Sequence, residues 1–350
     1  MNKQEAIKRL RNEKFEIIPG ERFAVHAFHP DHAWGIVRLM YAVYKESYPV
    51  EAYYLPQEII RKNREKDVFS VVTCNTSGQV VGYAALYHSS SPYRGMYEGG
   101  MYTVHPRYRN TTVAFKMNRA VLDLAHRLSE VKSIYSESVC NHLVTQKMSD
   151  RAGVHMTAFE LGLMPKEAYD ADETVDGRVS SVIGVLEFEA ISHPVYKPDC
   201  YAEELDFIFG YLKPERNIQP APMIRLPGKQ TEMESESFDF AGVDRICIQR
   251  LGADLRERIS RAISNARQRN AVLVEVFLNA ADEAVASGIE ELRQSGFFFC
   301  GFVPRWIDTD CYLFQKNLAE PPLSEIHLYS ENAKRLLAYV QADCERARQV

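Results

Sequence analysis

The stretch Val104–Ala125, "VHPRYRNTTVAFKMNRAVLDLA", reads as the end of a strand, a turn closed by Pro106, a group of basic residues and an amphipathic helix. That layout suits a loop that holds a phosphate against a helix N-terminus, where unpaired N–H groups and the helix dipole favour an anion. The glycines usual in such loops are missing. Arg107, Arg109, Lys116 and Arg119 supply positive charge, and no acid stands between Glu98 and Asp123. The helix aligns Val113, Met117, Val121, Leu124 and Leu128 on one face, which must pack on a sheet.

Working outward, "RFAVHAFHP" alternates as a strand, and "PDHAWGIVRLMYAVYKES" carries Ile36, Met40 and Val43 at helical spacing behind an expected cap at Asp31. A second helix, "PQEIIRKNREK", begins at Pro56, a favoured first-turn position. The strands "VFSVVTCNT" and "QVVGYAALYHS" are joined by a turn at Ser77-Gly78, and "MYEGGMYTVHP" leads into the basic loop. After the helix come a strand "SIYSESV", a helix ended by Gly153, a strand "TAFELGLMP", an interruption rich in Asp and Glu, and a strand "VSSVIGVLEFEA". The predicted order to about residue 190 is β, α, α, β, β, β, α, β, α, β, β.

Residues 192–238 form a proline-rich stretch around one helix, "YAEELDFIFGYL", and read as a connector. Residues 239–318 then give a shorter α/β unit that repeats the element order of the preceding domain's last half, and 319–350 end in a helix. The repeat is one of order and not of sequence, so a degenerate copy and an unrelated α/β unit both remain open.

Composition narrows the class. The 350 residues exceed one typical domain, and 46% hydrophobic content can bury two cores. A net charge of −5 argues against a general nucleic-acid binder. The seven cysteines are scattered and never spaced as CxxC, which fits reduced thiols in a cytoplasmic protein. The charged start "MNKQEAIKRLRNEKFE" has no apolar core of a signal peptide, and no run approaches the roughly 18 apolar residues of a membrane span. His26, His29 and His32 recur at three-residue spacing, but side chains of a strand and turn need not converge on an ion, and no metal is expected.

The order of elements, "YEGGMYTVHP" followed by "RYRNTTVAF", and "ESVCNHLVTQKMSDRAG" together resemble the GNAT superfamily of acyl-CoA-dependent N-acyltransferases over about residues 23–191. With "LRQSGFFFCGFVPRW" added, the chain is similar to a subgroup in which GNAT domains stand alone or joined to regulatory ATP-binding domains. The resemblance implies an α/β fold, a mixed sheet flanked by helices, followed by the second, smaller α/β unit, with residues 1–22 a helical extension. It implies acetyl-CoA or another acyl-CoA as cofactor, its pyrophosphate held by Arg109, Asn110, Thr111, Thr112, Val113 and Ala114, with Tyr102, Thr103 and Val104 on the strand before. Arg109 and Ala114 match the family's loop. Thr112 replaces its central glycine, and a β-branched residue neither admits close approach nor favours positive φ.

The resemblance also places Glu98 where many members carry the general base that takes the proton from an acceptor amine. The family's thiolate-protonating tyrosine, four residues before Gly153, is replaced by Ser149. His142, after a predicted strand end, is a candidate for the missing acid, or a helix cap. Tyr44, Tyr48, Tyr53 and Tyr54 fall in the segment that often lines the acceptor site, where core packing explains them equally. The expected acceptor is a small-molecule or protein amine, with neither nucleic acid nor membrane as partner. Two other readings stay open: a catalytically silent acyl-CoA sensor or interaction module, and a transferase whose donor is held by a carrier protein or tRNA.

Overall fold

The computed structural model describes residues 2–48, 50–169, 176–190, 192–320 and 322–349, and the chain divides into two units. Unit 1 takes the chain up to Ser90, Tyr97–Ile134, and Ala168 with Tyr169. Unit 2 takes Ser91–Met96, Tyr135–Glu167 and the chain from Asp176 onward. Each is a mixture of helices and strands, as the α/β expectation requires.

Unit 1 contains α1 (Lys3–Asn12), β1 (Phe23–Ala27), α2 (Ala33–Tyr44), α3 (Pro56–Arg64), β2 (Val68–Asn75), β3 (Val80–Tyr87), all but the first residue of β4 (Met96–Val104) and α4 (Val113–Ala125). The strands pair in the order β1-β2-β3-β4, all antiparallel. Alternation along β3 sends Tyr83 and Ala85 into a core with Ile36, Met40 and Ile59 of α2 and α3. It turns Gly82 toward α4: a Cβ there would stand 2.8 Å from Val113 Cγ1 and 2.9 Å from Met117 Sδ, so the glycine lets the helix lie close.

Two local expectations are corrected here. Asp31 does not cap α2; Pro30–His32 form a short 3-10 turn, and the cap is His29, whose Nδ1 accepts from the Asp31 N–H at 3.4 Å. Proline after His29 fixes an extra turn that moves Asp31 inside it. The buried stripe of α4 is Val113, Met117, Val121 and Ala125, because the helix ends at Ala125 and leaves Leu124 and Leu128 only partly covered.

The division into units falls inside β5 (Ser133–Val139), after Ile134. There follow α5 (Val144–Arg151), β6 (His155–Met164), β7 (Val179–Glu187), β8 (Pro194–Lys197), α6 (Ala202–Tyr211), β9 (Asn217–Pro220), β10 (Glu232–Phe238), β11 (Val243–Arg250), α7 (Leu255–Gln268), β12 (Leu273–Asn279), α8 (Val285–Gln294), β13 (Phe298–Val303), β14 (Cys311–Asn317) and α9 (Glu331–Ala347). Much of the acidic interruption before β7 lies outside the described residues. The stretch read as a connector holds its helix as α6 and three strands besides; "EMESESF" of β10 has no apolar face to announce it. Within unit 2 the order is β5-β7-β6-β13-β14-β12-β11-β10, and β8 pairs in parallel with β9 separately.

That order is a palindrome of element types. β5-β7-β6 on one side is matched by β12-β14-β13 on the other, with β6 and β13 antiparallel at the centre through Ala158 and Gly301. The helices α5 and α8 end alike, at Gly153 (φ +75°) and Gly296 (φ +78°). Each following strand bulges at the equivalent residue, Thr157 between Met156 and Ala158, and Cys300 between Phe299 and Gly301. One constant interval in sequence relates all these pairs. Register and positive-φ glycines thus repeat where side chains do not.

The sheet of unit 2 also curls. Arg245 on β11 reaches Glu160 on β6 at 2.6 Å although β12, β14 and β13 stand between them in the order. Four strand spacings of about 4.8 Å in a flat sheet exceed what two side chains can bridge. The concave face is filled by Trp306, stacked on Phe277 at 4.2 Å and edge-on to Tyr135 at 5.2 Å. All seven cysteines are free thiols, five of them buried.

Candidate functional site

Glu98 lies in β4 directly opposite Tyr87 of β3. Tyr87 Oη donates to its Oε1 at 2.5 Å and Ser89 Oγ to its Oε2 at 2.5 Å, so both oxygens are fixed in direction. Gly100 makes this possible, since a Cβ there would sit 2.8 Å from Tyr87 Oη and 2.9 Å from Glu98 Oε1. The strand then bulges: Met101 and Tyr102 stand against the single residue Ala84, and Met101 takes φ +59°. A non-glycine residue in that region is strained, and such bulges re-aim backbone groups next to functional sites.

Tyrosines gather beside the carboxylate. Tyr44 and Tyr48 rings are 4.9 Å apart, Tyr48 and Tyr53 5.9 Å, and Tyr53 and Tyr83 5.9 Å. Burial first, and the Glu98 charge in addition, push the Tyr53 phenol up to about 12 and the Tyr48 phenol upward, so these hydroxyls stay protonated. Tyr54 serves differently: its hydroxyl donates to the Lys45 carbonyl at 2.8 Å and closes the end of α2.

In the basic loop Arg109, Asn110, Thr111 and Thr112 are exposed and Val113 is buried. Thr112 has φ −86° and ψ 12°, so the position carries a threonine without left-handed strain. Thr111 Oγ1 donates to the Tyr108 carbonyl at 2.6 Å and accepts from the Val113 N–H at 3.3 Å, which stiffens the turn. With the Val113 N–H taken by Thr111, the helix start offers the Ala114 N–H, which has no partner within a helix. Tyr102 donates to Asn118 Oδ1 of α4 at 2.7 Å, Thr103 is buried with its hydroxyl on the Met101 carbonyl at 3.2 Å, and Val104 closes the strand. Arg107 is diverted: it binds the Ile17 carbonyl at 2.7 Å and Glu16 at 2.8 Å. Lys116 lies 4.8 Å over the Phe23 ring.

Unit 2 holds the other candidates. Ser149 Oγ is 3.3 Å from Ser136 Oγ and 3.4 Å from Ser138 Oγ, so three hydroxyls meet at the position counted back from Gly153. His142 is exposed and accepts the Val144 N–H on Nδ1 at 3.3 Å, a cap at the start of α5. Gln146, which the sequence did not mark, is buried and donates to the His327 carbonyl at 2.8 Å. Tyr87, Ser89, Ser136 and Ser138 were also unmarked. Their signal is alternation, since Ser136 and Ser138 share one side of β5 and Tyr87 meets Glu98 once the hairpin register is known.

The His32 ring of the N-terminal turn lies 6.3 Å from that of His26 and 6.2 Å from that of His29, centroid to centroid. His29 and His32 both accept backbone N–H bonds on Nδ1.

The second half has its own loop at the place matching Arg109–Ala114, between β11 and α7, and its own chain fills it. The Ala253 N–H bonds the carbonyls of Pro227 at 2.8 Å and Lys229 at 3.1 Å, and Asp254 Oδ1 takes the Thr231 N–H at 2.7 Å. A Cβ on Gly252 would meet the Lys229 carbonyl oxygen at 2.2 Å. β11 and β12 are paired in parallel from Val243 to Ile248 without a gap. The Ala253 N–H is therefore taken by the chain itself, and the cavity of about 870 Å³ beside the loop is lined by Asp254 and Glu257 as well as by Lys229, Arg258 and Arg261.

Residues 34–153 match the model of the acetyltransferase (GNAT) family, a span that runs from α2 through Glu98 and the basic loop to the end of α5. This stretch of the chain is a GNAT domain. No curated protein matches the sequence. Among solved structures, the ribosomal-protein-S5-alanine acetyltransferase of Vibrio fischeri is 11% identical with a TM-score of 0.39, covering 51% of this chain and 98% of that one. The spermidine N-acetyltransferase of Vibrio cholerae is 11% identical with a TM-score of 0.37, covering 47% and 93%. The protein yncA of Salmonella typhimurium, solved with its cofactor acetyl-CoA, is 13% identical with a TM-score of 0.39, covering 49% and 98%. The assignment rests on the family match. Among the described residues no helix is long and apolar enough to cross a membrane.

Proposed function

We propose that this chain is an N-acyltransferase, in the simplest case an N-acetyltransferase, that uses acetyl-CoA or another acyl-CoA and a small-molecule or protein amine, in the cytoplasm. The observation that carries the reading is the Glu98 carboxylate, held on both oxygens beside a strained bulge and next to a tyrosine cluster. A carboxylate so fixed accepts a proton along a defined direction, which general-base catalysis requires.

The residues fit the cofactor. Arg109, Asn110, Thr111, Thr112, Val113 and Ala114 would hold its pyrophosphate through the guanidinium and the amides of the α4 start, and Tyr102, Thr103 and Val104 would line its path along β4. When bound, the cofactor supplies an activated thioester. Glu98 would take the proton of the acceptor amine, and Ser149 with its two serine neighbours, or His142 through Nε2, would be the groups that hold a proton for the CoA thiolate. We take 23–191 as the transferase domain and 239–318 as its degenerate half-copy.

A second reading keeps the cofactor and drops the chemistry. Serine in place of the family's tyrosine favours a silent acyl-CoA sensor. The two separate in one assay: release of the CoA thiol from acetyl-CoA over a panel of primary amines, read with a thiol reagent. Amine-dependent release, with KM for acetyl-CoA about tenfold higher in Arg109→Ala, is the expected result, since a charged hydrogen bond contributes about 1.5–3 kcal/mol. Binding without release by any amine selects the sensor.

A further inference from the structure

The β13–β14 turn carries more order than a connection needs. Arg305 has φ +54° and Asp308 φ +69°, two left-handed non-glycine residues within one short loop. Such strain persists only where surrounding groups over-determine it. Here Asp310 Oδ1 accepts the Arg305 N–H at 2.9 Å, Arg216 Nε binds the same carboxylate at 2.7 Å, and Arg216 Nη2 binds Glu187 at 2.5 Å. Arg216, Glu187 and Asp310 side chains are at most 1% exposed.

What this turn grips is the loop before β4. The Trp306 carbonyl accepts Ser91 Oγ at 2.8 Å across 215 residues of sequence. Arg305 Nη2 donates to Tyr93 Oη at 3.1 Å, and the guanidinium lies 5.3 Å from the Tyr93 ring centroid. The Tyr93 ring folds back over Gly95, where a Cβ would be 2.4 Å from its Cζ. Met96, buried in the core of unit 2, then opens β4. The gripped loop is therefore bracketed in sequence by Ser89 and Glu98, the two ends of one 2.5 Å hydrogen bond.

We propose that Arg305 is a positioning residue for Glu98: the half-copy, through the β13–β14 turn, fixes Ser91–Met96 and so sets the Ser89–Glu98 pair. This rests on Glu98 being the base. Of the guanidinium nitrogens, Nε and Nη1 make no hydrogen bond, so the grip passes through Nη2, and a lysine ammonium can replace it. A role confined to stabilising the turn would leave kcat untouched.

The test uses the full chain with Arg305→Ala, Arg305→Lys and Tyr93→Phe, the last removing only the hydroxyl that Arg305 grips. Hydrogen exchange across 89–98 should speed up about tenfold in Arg305→Ala and Tyr93→Phe and return toward the parent in Arg305→Lys. With an accepted amine, kcat should fall roughly tenfold to a hundredfold with KM for acetyl-CoA unchanged, the scale expected when a reacting group is misplaced. Unchanged exchange in Tyr93→Phe overturns the grip. Faster exchange with unchanged kcat overturns the positioning role. If the parent turns over no amine, the reading of Glu98 as base fails, while the exchange result still decides the grip.

Discussion

Glu98→Gln is expected to lower kcat by about 10²- to 10⁴-fold, the range a general base contributes, and to leave the affinity for acetyl-CoA and the unfolding midpoint near the parent's. The change keeps shape and removes only the proton acceptor. Tyr87 can still donate to the amide oxygen, and the Ser89 hydroxyl can rotate to accept from the amide nitrogen, so both 2.5 Å contacts have replacements. Tyr87→Phe should act in the same direction and more weakly, because it releases one oxygen of the carboxylate. Steady-state kinetics beside titration of acetyl-CoA separates the effects. A fall in affinity equal to the fall in turnover would show that Glu98 supports the cofactor's seat and not the proton transfer.

The second large effect concerns stability. Arg245 is one buried guanidinium among three carboxylates: Glu160 at 2.6 Å, Glu275 at 2.8 Å and Glu137 at 3.7 Å. Burial first, then the charges of Glu137 and Glu275, push the Glu160 carboxyl well above its usual range. Arg245→Ala removes the one cation and should cost about 3–5 kcal/mol at neutral pH. The sign with pH follows from Glu160. Its folded state keeps a proton that the unfolded chain releases from about pH 4.5 upward, so this group's contribution to stability declines as pH rises through that window. The deficit of the variant should therefore be larger at pH 8 than at pH 5, because protonated carboxyls need no counter-charge. Urea unfolding at both values decides it. An equal or smaller deficit at pH 8 would mean that the cluster is not held by this cation.

Local chemistry made part of this molecule readable in advance. Pro56 starts α3, Gly78 turns the β2–β3 hairpin and Gly153 ends α5 because each obeys a backbone rule that acts within a few residues. Val113, Met117 and Val121 could be assigned to a buried face for the same reason. What depends on register or distant partners could not. The bulge at Met101 exists only against Ala84, and the Glu98 ligands Tyr87 and Ser89 come from the neighbouring strand. Arg245, Glu160 and Glu275 look like surface charges in sequence and become one buried cluster only because the sheet curls. The replacement of glycine by Thr112 was read as a conflict, and the observed φ of −86° removes its conformational part. That Pro227–Thr231 pack on the β11–α7 loop has no sequence signal at all.

The central claim is that one loop, Arg109–Ala114, holds an acyl-CoA while the β11–α7 loop of the second half holds none. Calorimetric titration of the full chain with acetyl-CoA measures this directly. The account predicts one molecule bound per chain, with the affinity lowered about tenfold by Arg109→Ala and unchanged by Asp254→Asn. No binding, or a stoichiometry of two, would contradict it.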